Sequence, residues 1–516
     1  MAEVTWFDAC CSLGRYVHMP ENQPETAEEI LAVMDHYGIH EALVVDTIAR
    51  DASPPAGNAR VLEKVASHPR LHPAWAGLMS AGQELPPPDE LVAQMRAEGV
   101  AALFLFYKHM DIRLDEWAID DLMAELEQAG CPVFLCPNSW RPAGQNEQTD
   151  WENVTRICRT FPELPVVVTE NRIFFGQRTV YAALAACPNL RIEMSSLWRY
   201  GAIEFIAQEF GAERMVWGSQ LPMRDPGAIL GQVACSNIGE EDLAKVAGGN
   251  LRELLAWNEH FASIAGSVEF PEPIDELHRA AREGLDLSGE HFYDCHGHIG
   301  WSSPFHVVHQ RAPEIVAEMD RHGMRKCIVF GLEGILGDET YCNDLVAEGV
   351  AEFPERFLGL TFVNMHHGEA KLRAEMQRGL ELGLRGVKII NNYQGYPTEG
   401  PLVDVACEFC HEHGFFILNH DWGSAAQIER LCTTYPDACF LTGHSNAGYG
   451  EVTRRVSNLF IGTCPLHRWG DTERFVEIYG ASRIMFGSDL CDLPIGWGMF
   501  PIMFANIPEE DKRKIL

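Results

Sequence analysis

The chain has 516 residues, with 74 acidic against 40 basic side chains, a formal charge of −34 and an apolar fraction of 46 %. Charge of that sign repels phosphate backbones and anionic lipid, which argues against nucleic acid and membranes as partners, and single cores rarely grow beyond about 250–300 residues, so two domains are expected. The sixteen cysteines sit in apolar runs such as Cys327-Ile328-Val329, where thiols behave as small hydrophobes, and neither a basic leader nor an apolar run of membrane-spanning length is present, so a reducing cytoplasm is the expected location.

The first predicted strand ends in Asp8-Ala9-Cys10-Cys11-Ser12-Leu13-Gly14. Short buried runs follow at Ala42 to Val45, Ala102 to Phe106, Val133 to Leu135 and Val166 to Val168, separated by longer amphipathic segments, the alternation of strand-helix units in a parallel sheet. Residues 265–290, with Pro271, Pro273, Gly284 and Gly289, carry little periodic apolar pattern and are expected to link a domain at 1–264 to a second at 291–516. The same pattern then returns at Cys327 to Phe330, Phe357 to Leu360, Gly386 to Ile390, Phe415 to Leu418 and Cys439 to Leu441, with helix candidates such as Ala312 to His322 and Leu402 to His413 between strands.

The two halves repeat one another. Asp294-Cys295-His296-Gly297-His298-Ile299-Gly300 lies 286 positions after its counterpart at Asp8, and Ile484-Met485-Phe486-Gly487-Ser488-Asp489-Leu490 lies 269 after Met215-Val216-Trp217-Gly218-Ser219-Gln220-Leu221. Each copy has the size of a (β/α)8 barrel, so the expected fold class is α/β, with two tandem TIM-barrel-like domains. Gly248 to Leu254 of the first copy would be matched from position 517 onward, so the second barrel is expected to lack its last helix, through either a truncated frame or a short terminus.

Chemistry concentrates in the second copy. Side chains at i and i+2 of a strand share a face, so His296 and His298 can approach one cation. His420, His444 and Asp489 each follow an apolar run, and in a barrel such strand ends converge on one face. Three imidazoles and a carboxylate form a mixed nitrogen and oxygen donor set for zinc, iron or manganese. Trp301, Asn391 to Gln394, Trp422 and His467-Arg468-Trp469 follow the same strand ends, and aromatic, amide and guanidinium groups there suit a small planar or acidic ligand, with Arg468 as a carboxylate clamp. His366 and His367 have no place in this pattern and are read as rim residues.

From about residue 290 to 516 the order H-x-H, Lys, His, His, Asp, carried by His296, His298, Lys388, His420, His444 and Asp489, resembles the amidohydrolase superfamily, in particular its branch of non-oxidative decarboxylases and metal-dependent hydrolases of small carboxylated or aromatic compounds. The resemblance implies one divalent metal, zinc first and manganese or iron as alternatives, on His296, His298, His420 and Asp489. It implies that His444 orients or deprotonates a metal-bound water and that Asp489 also relays a proton. Lys388 has three readings: a carbamylated bridge between two metals, a contact to the substrate's carboxylate, or a structural ion pair.

At the same places the first copy has Cys10, Ser12, Phe104, Asn138, Glu170 and Gln220, which do not make a transition-metal site. It reads as a degenerate barrel supporting the second, packed like the subunit of a homodimer about a pseudo-twofold axis, with Lys108, His109 and Arg113 near any ligand pocket it retains. The expected function is metal-dependent hydrolysis of an amide, lactone or similar carbonyl in a small molecule. Non-oxidative decarboxylation of a small carboxylic acid is the alternative, and a non-catalytic ligand-binding scaffold the third reading.

Overall fold

Strands form where branched and aromatic side chains are buried on both faces, as in Ile39–Asp46, whose eight residues are all buried. A computed structural model of the protein describes residues 4–17, 22–137, 149–169, 176–195, 197–309 and 311–516. It divides into units Met1–Pro273 and Ile274–Leu516.

The first unit is an eight-stranded parallel sheet in sequential order: β1 (Trp6–Leu13), β2 (Ile39–Asp46), β3 (Leu71–Ala76), β4 (Ala102–Leu105), β5 (Val133–Leu135), β6 (Val166–Val168), β7 (Leu190–Glu193) and β8 (Met215–Val216). The ring closes where Ala9 N–H donates to Trp217 O at 3.0 Å and Ser12 N–H to Leu221 O at 2.9 Å. Phe7, Leu43, Ala74, Phe104, Phe134 and Val167 fill its interior, and Leu251, Leu254 and Leu255 of helix Asn250–Leu255 pack against them.

The second unit repeats this ring with β9 (Phe292–Ile299), β10 (Met324–Gly331), β11 (Phe357–Gly359), β12 (Thr361–Phe362), β13 (Gly386–Ile389), β14 (Phe416–Asn419), β15 (Cys439–Thr442), β16 (Leu459–Gly462) and β17 (Ile484–Met485). β11 and β12 occupy one strand position interrupted at Leu360, whose N–H still donates to Val329 O at 2.9 Å, so the nine segments make eight staves. Closure again joins first to last, with Cys295 N–H on Phe486 O at 2.7 Å. Both units are therefore (β/α)8 barrels, whose interiors are packed cores with side chains from many strands meeting at the carboxyl ends.

One expectation is corrected. The segment at 265–290 is not plain linker: Glu276–Glu283 is a helix of the second unit, with the His278 ring edge-on to and 5.3 Å from that of Phe504 of helix Ile495–Phe504 and Asp275 accepting from the buried Lys512 Nζ at 2.6 Å. Its sequence, Glu-Leu-His-Arg-Ala-Ala-Arg-Glu, offers a narrow apolar stripe of one leucine and two alanines, too little to stand out as a pattern. The second barrel ends on helix Glu509–Ile515, the counterpart of Glu240–Ala244 in the first: Ile515 O accepts Phe486 N–H at 2.9 Å, as Val246 O accepts Trp217 N–H at 3.1 Å in the first. The helix expected to be unmatched, Asn250–Leu255, has no counterpart among the described residues of the second barrel, and Leu358, Phe416, Phe460 and Met485 there are only half-buried. Among the described residues no helix is long and apolar enough to cross a membrane, and all sixteen cysteines are free thiols.

Candidate metal centre

Asp294 ties the second barrel's first strand to its last. Its carboxylate accepts the N–H of His296 at 2.9 Å, the N–H of Ser488 at 3.1 Å and the Ser488 hydroxyl. Burial pushes the Asp294 carboxyl up to about 6, against those hydrogen bonds. The clamp fixes β9 beside the residue after Ser488, and Asp489 there adopts a left-handed backbone, φ +65°. The Asp489 N–H donates to His296 O at 2.8 Å.

This frame turns Asp489 towards both strand histidines: Oδ1 lies 2.9 Å from His298 Nε2 and 3.3 Å from His296 Nε2. His296, His298 and Asp489 each offer a ligand atom within 4.8 Å of the others, a group able to hold a metal ion. The ring of His420, immediately after β14, is 5.8 Å from that of His296, and the ring of His444, two residues beyond β15, is 4.3 Å from that of His420. Gly443 makes this crowding feasible, because a Cβ there would come within 2.5 Å of His420 Cδ2. Lys388, on β13, is fully buried with its Nζ 4.3 Å above the Phe330 ring.

The electrostatics suit a divalent cation. His296 Nδ1 and Nε2, both nitrogens of His420, and Lys388 Nζ are buried without a hydrogen-bond partner, an arrangement that costs about 1–3 kcal/mol per group unless something else satisfies it. Burial drives the basic groups towards neutrality: His296, His420 and Lys388 all lie well below their ordinary values, with Asp489 pulling the other way on His296 and Lys388. Burial would raise Asp489, but the imidazoles of His296 and His298 hold it below the usual carboxylate range. Neutral imidazoles with open lone pairs beside an ionised carboxylate are the protonation states a divalent ion requires. The residues present fit the group.

His444 differs from the others. Its Nδ1 is 3.0 Å from Cys464 O, which marks Nδ1 as the protonated nitrogen and leaves Nε2 for exchange. The Cys464 thiol lies 3.6 Å from the same Nδ1. Tyr393, half-exposed, sets its ring 5.1 Å from His420.

The other expected ligand contacts are placed differently. Trp422 is only 1 % exposed, donates its indole N–H to Leu441 O at 2.8 Å and packs 5.2 Å from Phe440, so it props up the end of β15 and has no N–H left to offer a ligand. Arg468 is exposed beside helix Asp471–Tyr479, its backbone N–H held by Asp471 at 3.2 Å. His366 and His367 are exposed, on Gln394 O and Glu339. The sequence reading attached no role to Asp294, Ser488 or Cys464. The first two had a signal, since Asp8 and Ser219 are kept at matching positions while every ligand changes.

In the first barrel, Asp8 accepts from Cys10 N–H at 2.9 Å, Ser219 N–H at 2.8 Å and the Ser219 hydroxyl, reproducing the clamp. Cys10, Phe104 and Gln220 are buried at the ligand positions; Asn138 and Glu170 lie outside the described residues.

A ring of histidines and one aspartate able to hold a metal ion thus stands at the carboxyl end of a (β/α)8 barrel. The amidohydrolase family profile matches residues 13–257 and again 293–516, and the chain belongs to that family. Over 82 residues it is 34 % identical to the 2-amino-3-carboxymuconate-6-semialdehyde decarboxylase of Dictyostelium discoideum, a match spanning 16 % of this chain and only 23 % of that protein. Among solved structures, an uncharacterized TIM-barrel protein from Bordetella bronchiseptica is 19 % identical with TM-score 0.39, covering 50 % of this chain and all of its own. A 5-carboxyvanillate decarboxylase from Novosphingobium aromaticivorans, complexed with manganese and 4-hydroxy-3-methoxy-5-nitrobenzoic acid, is 16 % identical with TM-score 0.36, covering 45 % of this chain and 96 % of its own.

Proposed function

We propose that the second barrel catalyses metal-dependent, non-oxidative decarboxylation of a small carboxylic acid. The observation that carries this reading is Lys388, an amine buried beside the histidine cluster with no hydrogen-bond partner. A substrate carboxylate supplies the counter-charge that favours its ammonium form. A neutral amide or lactone leaves it unmatched. The local kinship to a decarboxylase supports the same choice.

His296, His298, His420 and Asp489 would hold a divalent ion, zinc by the donor set with manganese or iron as alternatives, which would supply positive charge to stabilise the electron density that develops on the substrate. The chain's own groups do the rest. Lys388 binds and orients the carboxylate, and the apolar wall of Phe330 and Phe362 excludes water from it. The bond to the carboxyl carbon breaks, CO2 leaves, and the electron pair stays on the substrate carbon. His444, having taken up a proton from solvent water at Nε2 while Cys464 O holds the ring by Nδ1, then delivers that proton to the carbon. Hydrolysis of an amide or lactone is the competing reading, since the same imidazole can take a proton from water.

The test is to assay the full chain, loaded with zinc or manganese, for CO2 release from hydroxybenzoic and unsaturated carboxylic acids beside a panel of lactones and amides. CO2 matching the acid consumed is expected; lactone or amide turnover without CO2 moves the assignment to hydrolysis.

A further inference from the structure

We propose that Tyr393 is a specificity-determining residue of the second barrel, the surface on which an unsaturated or aromatic acid is preferred to a saturated one of equal size. The inference rests on the reading of that barrel as a site for carboxylic acids, and it begins with depth. Lys388, which takes the carboxylate, is wholly buried on β13, whereas Tyr393, in the turn that follows the same strand, is 50 % exposed. Phe330 closes the floor 4.3 Å from Lys388 Nζ, so a substrate held there by its carboxylate extends the rest of its body outward, past the histidines. Tyr393 stands in that direction. Its ring is edge-on to His420, with centroids 5.1 Å apart and planes at 67°, and half of its surface remains open to a ligand.

A contact residue discriminates only if it is held still, and the turn Asn391–Gln394 is fixed at several points. The N–H groups of Tyr393 and Gln394 both donate to Ile390 O, at 3.1 and 3.2 Å. Gln394 ties the turn to the loops after β10 and β12: its Nε2 donates to Gly334 O at 3.2 Å, and its own carbonyl accepts from His366 Nε2 at 2.9 Å. Asn391, which opens the turn, is 1 % exposed with neither amide atom hydrogen-bonded among the described residues. With Lys388 Nζ, it is the second polar group on this stave that the protein itself leaves unsatisfied, at a cost that a ligand can remove.

An aromatic ring gains more from another π face than from a saturated ring of similar volume, by roughly twofold to tenfold in affinity. A conjugated acid is also flat, and can lie along the open face of Tyr393 while its carboxylate stays at Lys388; a puckered ring makes fewer contacts with that face. A tyrosine that merely steadied His420 would behave differently, because it would act on every ligand alike through the metal.

The experiment loads the full chain with zinc and titrates 4-fluorobenzoate and 4,4-difluorocyclohexanecarboxylate by fluorine NMR, so that binding is read whether or not CO2 is released. The unsubstituted chain is expected to prefer the aromatic acid by about fivefold, Tyr393→Leu to bring the two affinities within about twofold of each other, and Tyr393→Phe to keep the preference. Zinc content is expected to be the same in all three. No preference in the unsubstituted chain, an undiminished preference in Tyr393→Leu, or zinc lost there with both acids weakened alike would each overturn the proposal. Lys388→Met separates it from the reading it rests on: both acids are expected to weaken equally, and if neither does, the site is not one for acids and the proposal falls with that reading.

Discussion

At matching positions the two barrels share a backbone and differ in what it carries. Asp489 and Gln220 both sit in the left-handed region, which disfavours most side chains by about 1–2 kcal/mol, and both follow a serine clamped by an aspartate on the first strand. The second barrel uses the strained position to aim a carboxylate at two imidazoles. The first keeps the strain and spends the position on an amide that accepts from Arg224. The clamp and the turn therefore belong to the architecture of ring closure, while the ligands are a separable layer.

That separation is most severely tried by removing ligands. His296→Ala with His298→Ala is expected to abolish metal retention and lower kcat/KM by about a thousandfold or more, whereas Cys10→Ala leaves the metal content of the purified chain unchanged; elemental analysis and steady-state rates read both. Metal lost with Cys10 would mean that the first barrel is not empty of ligands. Lys388→Met comes next, with a fall of about a hundredfold in kcat/KM for acidic substrates and improved stability in denaturant melts, because a buried amine is replaced by a chain of similar length. An unchanged rate would return Lys388 to a purely structural role.

Asp8→Asn and Asp294→Asn test whether the clamp is common property. Each is expected to cost roughly 1–3 kcal/mol in denaturant unfolding, since a buried carboxylate accepting three hydrogen bonds becomes an amide that accepts fewer, and only Asp294→Asn is expected to disturb metal retention. The smallest effect belongs to Glu41 in the first barrel. Burial alone would raise its carboxyl, but hydrogen bonds from His72, Ser263 and the Ile264 N–H hold it down at about 2. A depressed carboxylate contributes stability that is full above the unfolded pKa of about 4.5 and lost as pH falls towards 2. Glu41→Gln is accordingly expected to flatten the acid limb of the unfolding profile between those values and to leave its slope near neutrality alone.

Much of this was legible in the sequence. The repeated segments, their near-constant spacing and the alternation of apolar runs gave two barrels, because strand burial and duplication both leave periodic marks. His296, His298, His420, His444 and Asp489 were legible because strand ends of a barrel converge regardless of their distance along the chain, and Lys388 entered through the family resemblance. Trp422 was misleading: an aromatic residue two positions after a ligand turned down beneath β15, a choice made by packing with Phe440 and invisible to local pattern. Helix Glu276–Glu283 escaped because its burial depends on a partner helix more than two hundred residues away.

The aspartate–serine clamps also set the order in which the chain acquires its shape. They join residues 211 and 194 positions apart, so neither ring can close until nearly all of its staves are present, which makes closure a late and slow event. During synthesis, residues 8 and 219 are both available long before residue 488 has been added. The nascent chain can complete one ring while the other is still being translated, and so need never hold two unfinished sheets at once.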